Sequence, residues 1–193
     1  MLKLVKQILL PAIPVILAIL VINHTNYFDY ERPIPYDSLG KITFENFRGL
    51  EFFRGSIFGN RKYAYVVTTI ESDFGDNSVS IQTYFHPSRS FVYNKNSKSK
   101  ELLKHEKYHI KITELFARKA KKVISGMNYF DKRQIEQVLN QTLVEEKKYQ
   151  VEYDYNTFHS YLLGEQKRYE KEIDSLLNLL AVYKNPTIKF YEK

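Results

Sequence analysis

Residues 102–109 read L-L-K-H-E-K-Y-H, two histidines four apart with a glutamate directly after the first. On a helix, four residues advance by about 400°, so the imidazoles of His105 and His109 lie about 40° apart and roughly 6 Å along the axis. Both can then reach one ion at about 2.0–2.1 Å, as two corners of a tetrahedron. Glu106 projects some 100° from His105, within reach of a water on that ion. The chemistry of this spacing is hydrolysis. A zinc ion lowers the pKa of its water toward about 7, and the glutamate takes the proton as the oxygen attacks a carbonyl. The expected cofactor is Zn2+, with Glu106 as general base.

Such a site needs a third protein ligand. There is no cysteine in the chain, so the ion must be held by His, Asp, Glu or backbone. The stretch I-K-I-T-E-L after His109 brings no third histidine. Glu136 on the following helix is one candidate, while Glu145 and Glu146 precede two lysines and read as solvated. Of the other histidines, His24 borders an apolar run and His86 stands in a turn before Pro87. His159 differs, because Y-D-Y-N-T-F-H-S (153–160) sets it near Asp154, whose carboxylate can hydrogen-bond the far ring nitrogen of a ligating histidine.

The elements that must position these residues change character along the chain. From 37 to about 95 the pattern is strand-like: 41–47, 63–70, 78–85 and 89–94, with G-D-N-S at 75–78 as a connecting turn. In 78–85 the side chains of Val79, Ile81, Thr83 and Phe85 fall on one face. After 96 the period becomes helical. Ser97 or Ser99 caps a long helix ending at Gly126, with Leu102, Ile112, Phe116, Ala120 and Val123 on its apolar stripe. A second helix starts at Asp131, with Gln134 as its capping-box partner, and a third near Ser160. Strands followed by helices predict an α+β fold.

The chain's 193 residues carry 29 basic and 22 acidic side chains, interleaved throughout. No zinc-finger or RNA-binding pattern accompanies the net charge of +7, which therefore predicts a solvated basic surface and no nucleic-acid partner. Lys3 and Lys6 precede an uncharged apolar run over 8–22, the layout of a signal peptide or membrane anchor. The expected organisation is an N-terminal signal or transmembrane helix over 1–23, a proline-bearing linker over 24–36, and one catalytic domain over 37–193. The expectation is an exported protein, membrane-anchored or secreted to the periplasm or beyond.

Four stretches, I-T-F-E-N-F-R-G (42–49), T-Y-F-H-P-S-R-S-F-V (83–92), L-L-K-H-E-K-Y-H-I-K-I-T-E-L-F-A-R-K (102–119) and Y-D-Y-N-T-F-H-S (153–160), together resemble a bacterial family catalogued as domain of unknown function 922, described as predicted secreted zinc-dependent proteases. The resemblance implies a zincin-like metallopeptidase acting on a peptide or protein substrate. It implies His105 and His109 as ligands, Glu106 as base and His159 as the matching third ligand. Lys107 and Tyr108 replace the family's usual Gln-Gly, and Phe44 stands where Trp is usual. A tyrosine beside the site is expected to narrow the groove. In a zincin, an edge strand at 78–85 or 89–94 pairs with the extended substrate, and Tyr153 or Tyr155 donates a hydrogen bond to the tetrahedral oxyanion. The rival reading is a catalytically degenerate peptidase kept as a binding or scaffold module of the cell envelope.

Overall fold

The computed structural model describes residues 11–21, 29–49, 64–93 and 99–190. The chain is mixed α+β, with a small antiparallel sheet and several helices. It divides into two compact units: Met1–Arg32 with Thr43–Val67 and His86–Ser97, and Pro33–Ile42 with Thr68–Phe85 and Lys98–Lys193.

In the first unit, α1 covers 11–21. No helix among the described residues is long and apolar enough to cross a membrane. This corrects the expected transmembrane helix and the membrane as a partner through the N-terminal segment. Lys3, Lys6 and residue 22 lie outside the described residues. Two short strands, β2 (Ala64–Tyr65) and β5 (Phe91–Val92), pair antiparallel, with the rings of Tyr65 and Phe91 stacked at 5.9 Å. The expected strand over 41–47 is instead a 3-10 turn at Phe44–Asn46. The Asn46 Oδ1 accepts a hydrogen bond from the Thr43 N–H at 2.9 Å, a side-chain alternative to strand pairing. Gly49 is required by a close approach: its N–H donates to the Ser90 carbonyl at 2.7 Å, and a Cβ would stand 2.8 Å from that oxygen.

The second unit holds β1 (Ile34–Pro35), β3 (Thr68–Gly75), β4 (Ser78–Phe85) and β6 (Thr187–Lys189). The 34–35 part of the expected linker thus supplies a strand. β4 is central. It pairs with β3 from Thr68↔Phe85 to Gly75↔Ser78, and on its other side with β1 and β6. The segment 78–85, expected as a docking edge, is therefore interior, with β3 outside it on one side and β1 and β6 on the other. Of 89–94, only Phe91–Val92 is strand and it is already paired with β2, while residue 94 lies outside the described residues. The alternation along β4 holds: Val79, Ile81, Thr83 and Phe85 are all fully buried.

Three helices follow: α2 (Lys100–Ser125), α3 (Lys132–Thr157) and α4 (Leu163–Leu179). Ser99 caps α2 by accepting from the Leu102 N–H at 3.2 Å, and Asp131 caps α3 by accepting from the Gln134 N–H at 3.1 Å. α2 is buried on two sides. Its Tyr108, Ile112, Leu115 and Phe116 pack with Tyr153 of α3 and with Tyr169, Ile173 and Leu177 of α4. Its Ala117, Ala120 and Ile124 pack with Val79 and Ile81 of β4 and with Ile135 and Leu139 of α3. Val123, expected on the apolar stripe, is exposed between these two faces.

α4 begins at Leu163 rather than near Ser160, because the chain takes a left-handed turn first. Phe158, His159 and Ser160 have φ of 48°, 50° and 75°, and none is glycine. Side chains in this region cost on the order of 1–2 kcal/mol each. Ser160→Gly relieves one such clash and gives back part of the gain as unfolded-state entropy. It will stabilise the protein by about 0.5–1 kcal/mol, read as a higher denaturant midpoint at unchanged slope.

Candidate metal centre

α2 and α3 run antiparallel from the short connection at 126–131. Equal i, i+4 spacings on the two helices therefore face each other in reverse order: His109 meets Gln150, and His105 meets Asp154. The Asp154 Oδ1 lies 3.1 Å from the His105 Nε2 and 3.0 Å from the His109 Nε2, and the two Nε2 atoms are 3.3 Å apart. His105, His109 and Asp154 form a triad able to hold a metal ion. A triangle with these sides has a circumradius of about 1.8 Å, so a point about 2.05 Å from every corner lies roughly 1 Å off its plane. The edges are close to the roughly 3.3 Å separation of ligand atoms around a tetrahedral ion bound at that distance.

The walls are aromatic on the inner side and polar on the outer. The Tyr153 ring stacks on His105 at 4.7 Å with 16° between planes, and meets His109 edge-on at 5.1 Å. Tyr153 is fully buried and its hydroxyl makes no hydrogen bond. Glu106 is buried beside the triad, and its charge acts on both His109 and Tyr153. On the outer side, His159 sits half-exposed with its Nδ1 3.3 Å from the Asp154 Oδ1. The structure thus brings together His105, Glu106, His109, Tyr153, Asp154 and His159. It gives Asp154 the central place among the histidines and sets His159 outside it.

Other expected residues stand elsewhere. Glu136 is half-exposed, 3.9 Å from Lys132, and 18 residues before Asp154 on the same helix, about 27 Å along its axis. Tyr155 is 81% exposed on the opposite face of α3 from Tyr153. Tyr108, expected to narrow the groove, belongs to the core instead. Its ring is buried and its hydroxyl donates to the Asp174 Oδ2 at 2.7 Å, a partner on α4 that pulls it away from the ligands.

Gln150 was not among the expected residues. Its Oε1 lies 2.5 Å from the His109 Nδ1, while its Nε2 donates to the His109 carbonyl, the Thr113 Oγ1 and the Glu146 Oε1. Thr113 continues the chain to Thr68 of β3 at 2.7 Å. Because the Gln150 amide is oriented by these other bonds, its oxygen faces His109, keeps a proton on Nδ1 and makes Nε2 the nitrogen turned toward an ion. The spacing of Gln150 and Asp154 repeats that of the histidines, which is the signal in the sequence that points to both.

Burial and the Asp154 carboxylate pull the two triad imidazoles in opposite directions. Burial pushes the His105 imidazole down to about 4, against the pull of Asp154. Burial also opposes charge on His109, but the hydrogen bond and charge of Asp154, with Glu106 and Gln150, outweigh it and raise His109 to about 9. Burial raises the Asp154 carboxyl, yet three histidines together hold it far below the usual carboxylate range. Between about pH 4 and 6.5 the unfolded chain binds the His105 proton that the folded one rejects, so stability rises with pH. Between about 6.5 and 9 the folded chain keeps the His109 proton that the unfolded one has lost, so stability falls. Metal-free protein will accordingly show its highest melting temperature near pH 6.5. Binding of a divalent ion at pH 7 will release close to one proton, measurable by calorimetry in two buffers of different ionisation enthalpy.

Comparison with protein-family models, with curated proteins and with solved structures finds no match to this chain.

Proposed function

We propose that this protein is a zinc-dependent peptidase with a zincin-like architecture, hydrolysing peptide bonds at the centre formed by α2 and α3. One observation carries the reading: two imidazole nitrogens and one carboxylate oxygen make a triangle of 3.0–3.3 Å edges, with a buried glutamate beside it on the same helix. Two imidazoles and one carboxylate suit zinc, with a fourth position left for water. When bound, zinc polarises the scissile carbonyl and lowers the pKa of the attacking water toward about 7. Gln150 holds His109 in the tautomer that presents Nε2, and Tyr153 packs against both imidazoles and keeps their inner side dry. Glu106 accepts the proton of the attacking water and passes it to the leaving amine. Asp154 is the third ligand, and His159, hydrogen-bonded to it on the solvent side, orients it.

The test is metal analysis of the purified full chain after growth in zinc, followed by incubation with a peptide library. About one zinc per chain is expected, with cleavage abolished by chelator and restored by added zinc. A chain that takes up no zinc would overturn the reading and leave a peptidase-like binding module.

A further inference from the structure

Residues 155–164 read Y-N-T-F-H-S-Y-L-L-G, ten positions without Asp, Glu, Lys or Arg in a chain that is 26% charged. At that density, two or three charges are expected in about ten surface residues. Most of this stretch is surface, Thr157 being buried: Phe158 is 63% exposed, Tyr161 61% and Leu162 51%. The Phe158 and Tyr161 rings meet edge-on, with centroids 6.0 Å apart. Large apolar side chains gathered in the open, with no charge among them, mark a place where something apolar binds.

The location says what that is. A helix end ordinarily uses one left-handed residue. Here three follow one another, a strained path of the kind that concentrates at functional sites. Backbone hydrogen bonds hold it: the His159 N–H donates to the Asp154 carbonyl at 3.1 Å, Tyr161 to Phe158 at 3.2 Å and Leu162 to Thr157 at 2.9 Å. The path returns His159 to the Asp154 carboxylate while Phe158 and Tyr161 stand in solvent. The turn that carries Phe158 and Tyr161 on its exposed side thus also carries His159, whose ring reaches the Asp154 carboxylate.

We infer that Phe158, Tyr161 and Leu162 recognise the peptide residue beside the scissile bond, and that the centre selects an aromatic or branched apolar side chain there. This rests on the peptidase reading. An aromatic side chain laid on the two rings buries large apolar area. A charged one would lose hydration and meet no Asp, Glu, Lys or Arg among residues 155–164.

The experiment uses the full chain loaded with zinc and carrying Glu106→Gln, so that binding is read without turnover. The probes are two labelled hexapeptides of equal length and charge, one with a central Phe and one with Ser, titrated by fluorescence anisotropy. The Phe peptide is expected to bind about tenfold tighter or better. Phe158→Asn, which tolerates the left-handed backbone, and Tyr161→Ser will each cut that ratio to about threefold or less at unchanged zinc content. Equal binding of the two probes, or a ratio unaltered in both variants, overturns the inference. The same peptides given to protein with Glu106 intact separate it from the reading beneath it. Equal cleavage of both removes the selectivity and leaves the peptidase. Selective binding without cleavage of either removes the peptidase and leaves an apolar peptide-binding surface.

Discussion

Glu106→Gln will leave zinc in place and reduce kcat/KM for peptide hydrolysis by about 10²–10⁴-fold, the usual contribution of a positioned general base. The substitution keeps the shape of a side chain that is 3% exposed, so packing around α2 is retained. What it removes is a buried carboxylate whose charge acts on His109 of the triad without belonging to the triad. Parallel metal analysis and initial-rate measurements separate the effects. Loss of zinc with loss of rate would make Glu106 a holder of the centre rather than its base. Unchanged rates would remove it from the chemistry.

Asp154→Asn will weaken zinc binding by more than about 100-fold, and His159→Ala by about 10–100-fold. The ranking follows from geometry, since the Asp154 Oδ1 lies within 3.1 Å of both ligand nitrogens and His159 reaches the centre only through that oxygen. Asparagine keeps the size and one oxygen but loses the charge that offsets the cation. Competition against a chelator of known affinity reads both variants on one scale. The reverse ranking would make His159 the third ligand and Asp154 its orienting partner.

Much of this centre is visible in the sequence, because its strongest signal is local. The H-E-K-Y-H spacing needs only a helix, and Ser99 and Gly126 mark the ends of one. The alternation in 78–85 is equally local and reads true as β4. What is hidden depends on partners far along the chain. The third corner of the triad comes from a helix paired antiparallel, so the rank of Asp154 over His159 and the part of Gln150 emerge only once α3 lies against α2. The same holds for Tyr108, whose neighbour in sequence, His109, belongs to the triad but whose neighbour in space is Asp174, 66 residues on. Short-range competition misleads as well. In 41–47 the apolar alternation suggests a strand, but the Asn46 side chain captures the Thr43 N–H and the chain turns. The start of α4 slips by three residues because no glycine announces the left-handed backbone at 158–160. The N-terminal run over 8–22 misleads too, since no helix among the described residues is long and apolar enough to cross a membrane.

The two long helices form a hairpin closed at 126–131, and the triad lies near its far, open end. An ion there fastens His109 to Asp154 and closes a loop of about 45 residues, long enough for a cross-link to remove several kcal/mol of unfolded-state freedom by the chain-entropy account. The metal would then be a clasp as well as a reagent. Without it the segments flanking the site would fray first and become the place where proteolysis of this chain begins.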